Sequence, residues 1–179
     1  MRYPLRHSVL LSVLLLPALA LAELDNASSD CVEGAPETTP SAAFAVVEEG
    51  VVRHERTGLE WQRCPLGMEW NESTASCDDA SGVDNEYNWQ DALQAADAES
   101  GWRLPNINEL RSIVELCREE PTINTEAFPG TPNERFWSAS PTASDSDNAW
   151  MLRFADLTPK EGSALKSASL WVRLVRDGS

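Results

Sequence analysis

The sequence predicts an α+β fold, with two helices packed on one side of a small mixed or antiparallel sheet and long loops held by two disulfides. Two amphipathic segments with capping residues lie near the middle of the chain, alternating apolar runs follow residue 136, and four cysteines stand downstream of an export signal. Helical patterns followed by a run of strand patterns read as α+β.

The chain opens with a basic start (Arg2, Arg6), an apolar run over residues 9–21 broken by Ser12 and Pro17, and the small-x-small triplet Ala20-Leu21-Ala22. This is the layout of a secretory signal, with cleavage expected after Ala22. The run falls short of the roughly 20 apolar residues of a spanning helix. No later stretch reaches that length, so no membrane insertion is expected after cleavage. Residues 23–41, rich in Ser, Thr, Pro, Asp and Glu, cannot pack by themselves and read as an extended arm. Residues 42–179 are about the size of a single domain.

Residues 44–61 carry two short apolar pairs, Val46-Val47 and Val51-Val52, separated by Gly50 and followed by Thr57-Gly58, which reads as strands joined by turns. Leu59 and Trp61 lie on one strand face. Residues 64–86 are polar and read as a long loop with Trp70 at its centre. Asn88 caps a helix in which Trp89, Ala92, Leu93 and Ala96 form one stripe. Asn106 and Glu109 make a capping box for a second helix with Leu110, Ile113, Val114 and Cys117 along its apolar stripe, ended by Pro121. Three strands are predicted over 136–140, 150–154 and 170–176, from the alternation of Trp150, Leu152 and Phe154 and of Leu170, Val172 and Leu174.

Four cysteines in an exported chain imply two bridges. Three pairings are possible. Cys64 and Cys77 flank a short Gly-containing segment that closes cheaply, which leaves Cys31 to join Cys117. Zinc is disfavoured, since no CxxC pair occurs and only His54 survives processing.

Removing the signal takes Arg2 and Arg6 from fourteen basic residues and nothing from twenty-nine acidic ones, leaving a formal charge of −17. Such a field repels nucleic acid, anionic lipid and sulfated glycans. Catalytic patterns are missing as well: no G-x-S-x-G, no HExxH, no phosphate-cradling Gly-rich loop and no dinucleotide fingerprint. No metal or cofactor is expected. Asp145-Ser146-Asp147-Asn148 offers hard oxygen ligands without EF-hand spacing and reads as a solvated loop.

The phrases TGLEWQRC (57–64), GWRLPNINEL (101–110), FWSAS (136–140) and VRLVR (172–176) resemble, in order, the family of the C-terminal domain of the Legionella collagen-like adhesin. The resemblance runs from about residue 31 to 176. It implies a fold related to C-type lectins and to formylglycine-generating enzymes, with helices over 89–98 and 107–118 and the three late strands as a central sheet. That family commonly carries a WQRC…C loop and a cysteine after the EL helix, in agreement with the bridges above. It assigns Thr57, Gly58, Leu59, Trp61, Trp102, Arg103, Leu104, Pro105, Glu109, Leu110, Trp137 and Ser138 to a structural motif. Arg103, beside Trp102 and shortly before the Asn106 cap, is expected to pair with a helix carboxylate. The interval between Ser140 and Trp150 is too short for the calcium-dependent sugar loop of C-type lectins.

The function expected from these readings is an exported, monomeric, non-enzymatic module that recognises a glycan or a surface protein, in the periplasm or outside the cell. Trp70, Trp137, Trp150 and Trp171 are its candidate aromatic contacts, with Asp145, Asp147 and Asn148 as hydrogen-bond partners. An accessory domain of a surface appendage or secretion system is the alternative. A formylglycine-generating type of enzyme would require a free reactive thiol.

Overall fold

The computed structural model describes residues 31–80, 82, 85–155 and 160–178; residues 1–22, read above as an export signal, and residues 23–30 of the expected arm lie outside the described residues. Its strands form three antiparallel sheets instead of one. β1 (Phe44–Glu48), β2 (Val51–His54), β3 (Leu59–Gln62) and β9 (Val175–Asp177) make the first, in that order. β4 (Met68–Asn71) and β5 (Ser76–Asp79) form a hairpin, and β6 (Arg135–Pro141), β7 (Asn148–Arg153) and β8 (Lys160–Leu165) make the third sheet. α1 (Trp89–Ala98) and α2 (Ile107–Ser112) complete the α+β architecture, which is compatible with the lectin-like scaffold implied by the resemblance.

The helices lie on opposite faces of the third sheet, not on one side. Phe136 faces Leu152 in register and both join the cluster of Ile107 and Leu110 from α2, whereas Trp137, Ala149 and Ala164 pack with Ala92 and Ala96 from α1. Since successive strand residues point to opposite faces, these two sets mark the two sides of the sheet. Both faces are therefore buried, each large apolar side chain contributing about 1.5–3 kcal/mol.

α1 has the boundaries and the Asn88 cap that the sequence predicts, with the Asn88 side chain accepting from the Asp91 N–H. α2 has its full capping box, but it stops at Ser112 and does not reach 118. The apolar stripe beyond it is taken up by other partners: Val114 bridges Ile123, and the Glu115 N–H donates to the Thr122 carbonyl. Cys117 thus lies beyond the helix, fully buried. Three further elements depart from expectation. Residues 64–86 hold the β4–β5 hairpin inside their loop. The third strand of the late sheet is β8, which carries only sparse apolar residues, because it pairs with β7 at the edge. Residues 170–176 pair only through single bridges at Leu170 and Trp171, and then at Val175 enter the first sheet.

Both disulfides have the expected partners, Cys31 with Cys117 and Cys64 with Cys77, and none of the four cysteines is free. The described part of the arm is docked. The Thr38 and Thr39 N–H groups donate to the Glu115 carboxylate at 2.8 and 2.6 Å.

Candidate functional site

The motif residues mostly hold the scaffold. Gly58 takes a φ of 71° at the turn between β2 and β3, and the Thr57 hydroxyl bonds His54 Nδ1 at 3.1 Å. Leu59 packs against the first core cluster, while Trp61, Leu104, Pro105 and Leu110 are buried. The Ser138 hydroxyl donates to the Trp150 carbonyl at 2.8 Å. Arg103 meets Glu109 in a two-pronged ion pair, as its sequence position implies.

His54 ends β2. It is buried and stacked 5.1 Å from Phe44, and burial, then Arg56, lower its pKa. Arg173 is fully buried and has no carboxylate partner among the described residues. Its guanidinium donates to the Gln62 and Arg63 carbonyls and to Thr131 Oγ1 at 2.7 Å, and burial pulls its pKa down to about 9. These bonds join the end of β3, the segment after Phe128 and the 170–175 run into one framework.

The four candidate tryptophans do not assemble. Trp137 is 0% exposed and its indole donates to the Tyr87 carbonyl at 2.8 Å, so it belongs to the core and presents no face to a ligand. Trp150 is half-buried against the first core cluster, two residues from Asn148 on the same strand face. Trp171 is half-buried at 6.3 Å from Phe136 and borders a depression with Asn85, Glu86 and Ser169. The Asp145 carboxylate is consumed by its own turn, accepting from the Asp147 N–H at 2.9 Å and from Asn148 Nδ2 at 2.6 Å. Among the described residues, no cluster of three His, Cys, Asp or Glu could hold a metal ion.

Trp70 acquires a partner that sequence reasoning assigned to the scaffold. It faces Trp102 across a groove of about 260 Å³ bordered by Glu48, Glu49, Gln62 and Met68. Gly50 forms part of the wall, where a Cβ would sit 3.1 Å from the Trp70 side chain. Each indole is braced by an arginine: Arg63 lies 3.9 Å over Trp70 and Arg176 lies 4.5 Å over Trp102. Arg63 also donates to the Glu126 and Ala127 carbonyls, and Arg176 bonds Glu60 Oε2 at 2.7 Å and pairs with Glu48. Burial lowers the Arg63 pKa; for Arg176 the same effect is outweighed by its hydrogen bonds to the Glu60 and Glu48 carboxylates, which raise it.

Folding thus brings three of the quoted phrases to one place: Gln62 and Arg63 from the first, Trp102 from the second and Arg176 from the last. No local signal marks the site, since the arginines that cover Trp70 and Trp102 are Arg63 and Arg176, and the residue next to Trp102, Arg103, is turned to Glu109 instead. A second depression, of about 490 Å³, lies between the start of α1 and residues 166 and 167, just after β8. There Lys166 covers Trp89 at 4.4 Å and donates to the Ser146 carbonyl, which leaves one indole and no second aromatic wall.

A family model described as the Lcl C-terminal domain matches residues 50–176 of the chain. No curated protein matches it.

Proposed function

The chain belongs to the Lcl C-terminal domain family, and from this premise we propose that it is an exported, non-enzymatic binding module that recognises a glycan or a protein at the cell surface or in the periplasm. In this reading the signal is removed after Ala22, residues 23–41 tie an arm to the body, and residues 42–179 act as a monomeric lectin-like domain. Two disulfides suit an oxidising compartment. All four thiols are consumed, which removes the nucleophile needed by a formylglycine-generating type of chemistry.

The observation that carries the reading is the Trp70–Trp102 groove. Two indoles held in place by stacked arginines form a preorganised aromatic site with polar groups at its rim, the usual composition of a recognition surface. Preorganisation limits the ordering cost of binding.

Tryptophan fluorescence titration against a glycan panel and native envelope extracts tests the proposal. The expected result is a saturable change that disappears in Trp102→Ala. Folded protein that binds nothing in either panel would refute it.

A further inference from the structure

We infer that the Trp70–Trp102 groove takes an extended basic peptide of a partner protein, with lysine or arginine side chains seated against the indoles and facing the carboxylates of the β1–β2 turn. This rests on the groove being the binding site and adds the ligand's chemistry.

The two indoles already make the contact in question, with arginines outside the groove lining. Both indoles carry a guanidinium of the chain itself, at 3.9 and 4.5 Å, the arrangement in which the ring quadrupole attracts a cation. Each of those two arginines also gives its Nε and Nη2 to the scaffold. Arg63 is spent on the Glu126 and Ala127 carbonyls, and Arg176 on Glu60 and Glu48. No Arg or Lys is among the residues that border the groove, so an anionic ligand meets no cation in its lining. A cationic one meets Glu49 at the rim, exposed and in no ion pair among the described residues. The acidic field of the whole chain acts in the same direction, favouring encounter with cations.

The backbone beside the groove favours a peptide over a small polyamine. β1 is an edge strand leading directly into the Glu48–Gly50 turn. The bond from the Glu55 N–H to the Ala43 carbonyl makes residues 43 and 55 a hydrogen-bonded pair. By the antiparallel alternation, the N–H and C=O of Val46 then point away from β2. Val46 is also 67% exposed, so an apolar side chain and a pair of main-chain groups with no partner among the described residues adjoin the acidic rim. An extended segment alternating basic and apolar residues satisfies both features.

Calorimetry at physiological salt, using the full mature chain with an (Arg-Val)3 peptide, spermine and a heparin-derived hexasaccharide as probes, tests this. The expected order is peptide over spermine, with no binding of the hexasaccharide. Glu49→Gln and Trp70→Ala should each weaken the peptide by about fivefold or more. Glu119→Gln makes the same charge change beside Cys31, away from the groove, and should leave affinity unchanged. Equal losses in Glu49→Gln and Glu119→Gln would reduce the effect to bulk charge and overturn the inference. So would spermine binding as tightly as the peptide. A hexasaccharide or neutral glycan that binds where the peptide does not, with the signal lost in Trp102→Ala, overturns the basic-peptide assignment while leaving the binding module intact. No response to any probe or panel removes both.

Discussion

Arg103 grips Glu109 through two parallel hydrogen bonds of 2.8 and 2.9 Å, and the same carboxylate accepts the Asn106 N–H at 2.7 Å to close the capping box of α2. One carboxylate thus starts the helix and anchors the strand-like bridge between Arg103 and Val175 to it. The Glu109 hydrogen bonds come first among the causes that raise the Arg103 pKa.

Glu109→Ala removes both functions and is expected to destabilise the fold by about 1.5–3 kcal/mol, combining a lost cap with a partly buried charged pair. Arg103→Ala keeps the capping box and should cost less. Urea unfolding of the two variants checks the order.

Glu115 is the acid-sensitive anchor of the arm. Burial pushes its pKa up, but the N–H bonds from Thr38, Thr39 and Cys117 outweigh it and hold the carboxyl below its usual value. Ionised Glu115 therefore favours the folded state above the unfolded carboxyl pKa of about 4.3, and that stability is lost as pH falls through the lower folded value. Glu115→Gln should destabilise by about 1–3 kcal/mol at neutral pH. Its stability should also fall less steeply than wild type on acidification, as measured by thermal melts between neutral and acidic pH.

Trp137→Ala and Trp70→Ala should separate core from groove. Deleting the fully buried Trp137 is expected to cost about 3–5 kcal/mol. Half-buried Trp70 should cost clearly less and act mainly on ligand affinity. Chemical denaturation with parallel binding titrations distinguishes them.

The two disulfides should differ in weight. Cys64 and Cys77 are 13 residues apart and Cys31 and Cys117 are 86 apart. The chain-entropy relation gives about 3 kcal/mol for the short loop and about 4.5 kcal/mol for the long one. The double serine variant at 31 and 117 should therefore unfold at lower urea. The variant at 64 and 77 should loosen the hairpin bearing Trp70 and weaken binding more than stability.

Local signals read well wherever the chemistry was local. Asn88 and Asn106 cap their helices because the responding N–H groups lie two or three residues away. The 64–77 bridge closes a short loop. The end of α2 did not read, because Val114 and Glu115 find their partners in Ile123, Thr122, Thr38 and Thr39, none of which a helical stripe can reveal. β8 was invisible for the same reason. As an edge strand with exposed Glu161, Ser163 and Leu165, it is held mainly by its ladder with β7 and shows little apolar alternation of its own.

What the sequence by itself determined is the α+β class, the family, both helix starts and the cysteine partners, since capping, periodicity and loop length are properties of neighbouring residues. Only the tertiary structure decided that Trp137 is core, that the helices flank the sheet from opposite sides, and that Trp70 meets Trp102. Those outcomes depend on which strands pair, and pairing joins residues far apart in the chain through contacts that no local pattern encodes.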